Sequence, residues 1–406
     1  MIKRRALSFL AVLAAGTMHV SPANALDYPI TCSGGPADTE IDAAIALAAS
    51  EPVRAVLSAG TCVIQSAHVL NGAVSFSIEG AGAASTIVQG QGIAIPMFRV
   101  GITTGGVDFV VRFLTLRAAP LSAIVIRDSA MRLDGVQVSD NKGGTAIVSE
   151  SSNIAIANSR FEGNAGAQGA IAAYSGPNYH LNVVDTTFVN NSSTQNGGAI
   201  NANVSVDLDR VLFTGNSANN GYGGAIQMYE IAFSIRNTTF SGNSAAYGGG
   251  VAMTANFATP GVTLRNVTMR GDIGSTAGSE IYLDGSSSPP IAIFNSLIGG
   301  TCAGPSIVST AHGSIESPGD TCGIGGGSNQ VNVADDDLHL GALADNGGAT
   351  LTLYPDPGSV LIDAADVDCE SVDQRGLVRN VGPCDVGAVE AAATLTDQLF
   401  ADDFEG

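Results

Sequence analysis

Apolar residues recur along this chain in short runs, too brief for successive turns of a helix, and glycine or asparagine closes most of them. One apolar mark falls at Val138, Phe161, Phe188, Phe213, Phe240, Met269 and Ile298, at spacings of 23, 27, 25, 27, 29 and 29 residues. A second, preceded by small residues, falls at Ile147, Ile171, Ile200, Ile226, Val251 and Ile281. A period of this length with short strands between the marks is that of a solenoid. The pattern predicts an all-β fold, a right-handed parallel β-helix in which each repeat is one coil burying its apolar face against its neighbours.

Three residues after the first mark stands an asparagine in five consecutive repeats: Asn141, Asn164, Asn191, Asn216 and Asn243. Stacked at the strand spacing of about 4.8 Å, each side-chain amide can donate to the carbonyl of the next, so the row predicts a structural ladder. Asparagine also tolerates the left-handed backbone of a tight turn. The pairs Gly143-Gly144, Gly197-Gly198 and Gly223-Gly224 and the run Gly248-Gly249-Gly250 precede strands. There, positive φ or close approach of coils excludes a Cβ.

Upstream, Thr39 to Ala49 has helical spacing and an N-cap-like Thr39. Gly-closed apolar runs follow at Val53–Leu57, Phe76–Gly80 and Ser85–Gly90. A helix feeding such strands would cap the open end of a solenoid. Ahead of it, Lys3, Arg4 and Arg5 lead an apolar run to Ala15, and Ala23-Asn24-Ala25 offers small residues for cleavage. Residues 1–25 therefore read as a secretory signal, the run being too short to span a bilayer. The expected organisation is signal 1–25, cap and first coils 26–132, repeats 133–300, C-terminal module 301–390 and acidic tail 391–406.

Composition sharpens this picture. The 406 residues include 51 Gly and no Trp, which suits many short strands and tight turns. Losing the signal takes three of 17 basic residues and none of 37 acidic ones, leaving a net charge of −23. That charge opposes binding to nucleic acid, heparin-like polymers and anionic lipid. A bridging hard cation such as Ca²⁺ could still bring in an anionic glycan. The cysteines at 32, 62, 302, 322, 369 and 384 are even in number in a chain expected to be exported, which favours disulfides. Pairing Cys32 with Cys62, Cys302 with Cys322 and Cys369 with Cys384 closes the shortest loops, one of the 15 connectivities open to six cysteines.

Three resemblances follow from these motifs. The helix, Gly60-Thr61 coil and Gly-x-Gly turn resemble the opening of pectate-lyase-like β-helix proteins, which implies fold and no catalysis. Phe213-Thr214-Gly215-Asn216 with Gly223-Gly224-Ala225-Ile226, and their neighbours over residues 133 to 285, resemble the FxxN and GGAI repeats of polymorphic outer membrane proteins. That implies surface exposure. No alternating strand series follows to form a membrane barrel, so self-export is not expected. From Gly313 onward, Asp320-Thr321-Cys322-Gly323, Leu343 to Thr350, Leu361-Ile362-Asp363-Ala364, Asp373-Gln374-Arg375-Gly376 and Cys384 to Glu390 resemble the choice-of-anchor Q domain. Gly358-Ser359-Val360-Leu361 departs from its usual Ser-Pro. The resemblance implies secretion and surface display without assigning a reaction. The tail after Glu390 lacks the apolar stretch and basic end of an anchoring signal.

For chemistry, the position three before each first mark reads Asn158, Asp185, Arg210, Asn237, Asn266 and Asn295. Asp185, Asp209 and Arg210 would meet there across coils, a carboxylate pair with a cation of the kind glycosidases and lyases use. An ion pair within a structural row explains the same residues. Asp335-Asp336-Asp337 lacks regular Ca²⁺-loop spacing and reads as a solvated loop. His68, His180, His312 and His339 stand isolated, and no cysteine–histidine spacing suggests a metal. No cofactor is expected beyond such a bridging Ca²⁺. Two functions stay open: a surface-displayed or released non-enzymatic scaffold for adhesion or for binding glycan or matrix, and a polysaccharide lyase or glycosidase.

Overall fold

The computed structural model describes residues 25–391 apart from 73, 93–94, 230–231, 255–260, 286–290, 306, 367 and 380–382. The expected signal, save Ala25, and the acidic tail beyond Ala391 lie outside these residues. The described chain is a parallel β-solenoid. Its strands form sheets of twelve, ten, eleven and five members, and every pairing between named strands is parallel. One coil runs through Ser217–Tyr222 of the five-stranded sheet, Ile226–Tyr229 of the ten-stranded, Phe233–Arg236 of the twelve-stranded and Thr239–Ser241 of the eleven-stranded. Three larger sheets thus make a three-sided prism. The small sheet closes the corner between the eleven- and ten-stranded faces.

Alternation sets what points inward. In Ile226–Tyr229 the core takes Ile226 and Met228, so Gln227 and Tyr229 project from the outer face. Both apolar marks lie in register through the prism, Val138 under Phe161, Phe188, Phe213, Phe240, Met269 and Ile298, and Ile147 under Ile171, Ile200, Ile226, Val251 and Ile281. The rings of Phe161, Phe188, Phe213 and Phe240 are fully buried and stack with centroids 4.8–4.9 Å apart. Burying each such side chain contributes about 1.5–3 kcal/mol, and stacking adds to it.

The ladders begin at Leu26–Ile30, well before the repeat becomes visible in the sequence near residue 133. Helix α1, Asp38–Leu47, places Ile41 and Ala44 over the first coils. Its start differs from expectation: Ala37 holds the N-cap position with no side-chain cap, and Thr39 lies inside the helix. The first-turn carboxylate of Asp38 instead accepts the backbone N–H of Gln65 and Ser66 and the Ser66 hydroxyl. His68, expected to stand alone, is buried with Nδ1 2.7 Å from Asp42 and Nε2 3.5 Å from Asp38, which pins α1 to the strand His68–Leu70. Because Ser66 donates to the carboxylate rather than to the imidazole, the group activates no nucleophile.

Disulfides join Cys32 to Cys62, Cys302 to Cys322 and Cys369 to Cys384. Beyond Glu316 regular structure thins to a 3-10 turn at Asp335–Leu338 and isolated bridges. This C-terminal stretch folds back along the corner between the twelve- and eleven-stranded sheets. Its second core, Ile315, Leu338, Leu361 and Val386, closes over Leu297.

Candidate functional site

The corner where the twelve-stranded sheet turns into the eleven-stranded one is a left-handed kink repeated in every coil. Asn158, Asp185, Arg210, Asn237, Asn266 and Asn295 all occupy it with φ between 45° and 55°. A short side chain that bonds locally suits that conformation, which explains the asparagines. Arg210 departs from the pattern, and its neighbours compensate. Its Nε and Nη2 donate to both oxygens of Asp185 at 2.8 Å, and Nη1 donates to Asp209 at 2.7 Å. The other Asp209 oxygen accepts the Asn237 amide at 3.0 Å.

The three residues singled out in the sequence do come together, as a saturated cluster. Arg210 is 9% exposed. The hydrogen bonds from Asp185 hold its guanidinium above the ordinary value, with Asp209 adding to the effect, so it stays charged and cannot serve as a base. Both oxygens of Asp185 and both of Asp209 are engaged. A few ångströms along the corner the C-terminal module is docked. Gln374 accepts from the Thr239 hydroxyl at 2.6 Å and donates to the Val211 carbonyl at 3.3 Å. Further along, Glu370 N donates to Asn266 Oδ1, Ala388 N to Thr268 Oγ1 and Asp366 N to Asn295 Oδ1. The Asp-Gln-Arg-Gly and Cys-Asp-Val-Gly-Ala-Val-Glu motifs supply this lock. Asp373, Gln374, Asp385 and Glu390 are buried, with Arg375 on Asp373 at 2.7 Å and Arg379 on Glu390 at 3.3 Å.

The asparagine row lies at the opposite end of the eleven-stranded strands and is buried throughout. Each Nδ2 donates to the Oδ1 of the next coil, Asn141 to Asn164, Asn164 to Asn191, Asn191 to Asn216 and Asn216 to Asn243, at 2.8–2.9 Å. The same Oδ1 atoms accept the backbone N–H of the preceding asparagine. The left-handed backbone anticipated for these residues sits one position earlier, on Asp140, Gly163, Asn190, Gly215 and Gly242. The asparagines are thereby free to point inward. Gly223 and Gly224 divide the two glycine roles expected of the pairs: Gly223 has φ of 70°, and a Cβ on Gly224 would lie 2.1 Å from the Gly249 carbonyl.

Two further features escaped the sequence reading. The amide row ends on a carboxylate, because Asp272 Oδ1 accepts Asn243 Nδ2 at 2.9 Å and Asn243 N at 2.7 Å. Glu280 lies beside it, 0% exposed. Burial, then the Asp272 charge, pushes the Glu280 carboxyl well above the ordinary value, and burial raises Asp272 to about 6. The spacing gave a signal, since Asp272 stands three after Met269, where the asparagines stand in earlier repeats. The second feature is aromatic. Tyr222, Tyr247 and Tyr282, scattered in the sequence, come together, Tyr222 stacked on Tyr247 at 4.9 Å and Tyr282 tilted against Tyr247 at 4.9 Å. Elsewhere, Asp335 binds Arg270 at 3.0 Å and the Ser317 hydroxyl at 2.8 Å, and Arg270 lowers its pKa. Among the described residues no three His, Cys, Asp or Glu side chains converge as a metal site.

The molecule is therefore a parallel β-solenoid with a fold-back C-terminal module. Its likenesses belong to that class. The Chlamydia polymorphic membrane protein repeat matches residues 185–203, 210–228 and 237–254, each match running from the left-handed corner to the next outer strand of the ten-stranded sheet. Pectate lyase Pel9A is similar in fold at a TM-score of 0.44 and 14% identity, over 85% of this chain and 90% of that one. A family PL6 alginate lyase, AlyGC, gives 0.42 and 13%, over 91% of this chain and 59% of that one. The A-module of the mannuronan C-5 epimerase AlgE4 from Azotobacter vinelandii gives 0.34 and 16%, over 74% and 92%. No curated protein matches the chain.

Proposed function

We propose that this chain is an exported β-helix scaffold, displayed at the cell surface or released, that binds glycan or matrix without turning it over. The observation that carries the reading is the saturation of the Asp185–Arg210–Asp209 cluster, the one acid-base constellation that the repeats offered. A general acid or base must meet the substrate with a carboxylate oxygen, and here every carboxylate oxygen already accepts a hydrogen bond from Arg210 or Asn237, which a substrate has to share or displace. The reading needs no metal ion. Three disulfides and the repeat similarity to a membrane-protein family support an oxidising, surface location. The burial of Asp373, Gln374, Asp385 and Glu390 in the docked motifs supports their reading as part of a choice-of-anchor Q-like display module.

A panel of pectate, alginate and neutral glucans, with and without Ca²⁺, assayed for unsaturated product and new reducing ends, tests it. No turnover is expected. Reproducible turnover that Asp185→Asn abolishes would overturn the proposal in favour of a lyase or glycosidase. Fractionation of intact cells, with the protein recovered only from the cytoplasm, would overturn the exported half of it.

A further inference from the structure

The outer face of the ten-stranded sheet carries a column in register from Asn201 through Gln227 and Ala252 to Tyr282. Outward residues of a sheet that faces water are normally exposed. Here Gln227 is 0% and Asn201 2% exposed, and Ala252 is fully buried. The neighbouring five-stranded sheet brings Tyr222 and Tyr247, the last residues of two of its strands, to the edge of this face. These rings lean across the small Ala252 until Tyr222 comes within 5.8 Å of Tyr282, two coils away. Half-exposed, they make an aromatic wall along the solenoid axis.

At the foot of the wall are acceptors without donors. Gln227 Nε2 donates to Thr254 Oγ1 at 2.9 Å, but its Oε1 has no partner among the described residues, and neither has Asn201 Oδ1. Buried unpaired carbonyls are costly, so an ordered structure keeps them where something else supplies the hydrogen bond. What they lack is an O–H or N–H, not an anion. Asp284, two residues past Tyr282 on the same face, lies close enough to contribute to the raised pKa values of Tyr222 and Tyr282, after burial.

We propose that this tyrosine-walled, amide-floored patch is a binding site for a neutral, hydroxyl-rich glycan, the inference resting on the scaffold reading above. The tyrosine faces meet the C–H face of a sugar ring, and the amide carbonyls accept its hydroxyls. A purely apolar ligand leaves the carbonyls unmet. A polyuronate meets Asp284 and a chain of net charge −20, with no donor cluster to offset the repulsion. The acceptors lie behind the rings, and a ligand reaches them when a half-exposed tyrosine turns aside, which asks only a side-chain rotation. The coil spacing of about 4.8 Å is near the length of one sugar unit, so an extended chain along the axis places about one unit over each coil.

Calorimetric titration of the folded protein with laminarin, dextran and mannan, against polygalacturonate and alginate, tests the site. At least one neutral polysaccharide binds, and Tyr247→Ala and Tyr282→Ala each weaken it about tenfold or more. Gln227→Met, made together with Thr254→Val so that the donor and its acceptor leave together, supplies a readout that a structural role would not give: replacing these polar groups by apolar surface leaves the melting temperature unchanged or higher, while binding weakens. Preference for the polyuronates, neutral-glycan binding unaffected in all three variants, or no polysaccharide binding would each overturn the proposal. Those failures leave the scaffold reading standing. Turnover of a bound neutral glycan would overturn that reading and keep the patch.

Discussion

Glu280 and Asp272 put two carboxyl groups where the row of amides runs out, and only one of them can be charged. Asp272 accepts two N–H donors from Asn243, which lower its pKa, yet burial outweighs them and raises it to about 6, and Glu280 beside it is raised well above its ordinary value. The folded pKa of Glu280 lies well above the ordinary 4.5 of the unfolded chain. The folded protein therefore holds a proton that the unfolded one releases, and this contribution to stability is complete below about pH 4.5 and is lost as pH rises through the raised pKa. Melting temperatures from about pH 5 to about pH 8 should fall in the wild type, whereas Glu280→Gln, which keeps a donor toward Asp272 without a charge, should remove that part of the slope. An unchanged slope would show that the pair does not share a proton. At this scale the sequence was partly legible. Asp185, Asp209 and Arg210 were found as neighbours, but their saturation depends on which oxygen faces which nitrogen, and spacing carries no such information.

At the scale of the coil, stability comes from rows that run across many repeats. Asn216→Ala leaves the amide and backbone N–H of Asn191 without an acceptor and takes the side-chain donor from Asn243 Oδ1 and the Phe188 carbonyl, in a fully buried place. A loss of roughly 2–5 kcal/mol is expected by chemical denaturation, since each stranded buried group costs about 1–3 kcal/mol. Phe213→Ala should cost about 3–5 kcal/mol by opening a gap between Phe188 and Phe240. The apolar marks and the asparagine row were plain in the sequence because both repeat at one position per coil. The coils from Leu26 to residue 132 were harder to see, since their strands pair in the same register without an asparagine row and with a single phenylalanine pair, Phe76 over Phe109, to mark it. The tyrosine wall was invisible for a related reason. Tyr222 and Tyr247 end strands of the small corner sheet, while Tyr282 belongs to the ten-stranded face, so no single period links them.

In the whole molecule, solenoid repeats touch only their neighbours, and cooperation over distance has to come from something laid across them. The C-terminal module does this by bonding to corner or sheet residues at Val211, Asn237, Thr239, Asn266, Thr268 and Asn295. Its buried Arg379–Glu390 pair is the point to test. Glu390→Gln leaves a buried guanidinium short of its partner and should cost about 3–5 kcal/mol. Limited proteolysis should then cut first between residues 361 and 390, while the repeats resist. Cleavage starting in the repeats instead would argue that the module adds little to the spine. The order of motifs announced a module, but its return over the repeats could not be read, because docking rests on single hydrogen bonds between residues 71 to 163 positions apart.

If the proposed display at a surface runs through the end of the chain, that return has a consequence for how the molecule would be moored. Ala391, bonded to Asp385 and Tyr354, lies on the flank formed by the twelve- and eleven-stranded sheets rather than at the tip of the prism. Whatever is joined beyond it pulls from the side. A body tethered this way lies lengthwise, like a boat tied amidships, with the face opposite the mooring turned outward. In a three-sided prism that face is the ten-stranded sheet, and the tyrosines stand along it.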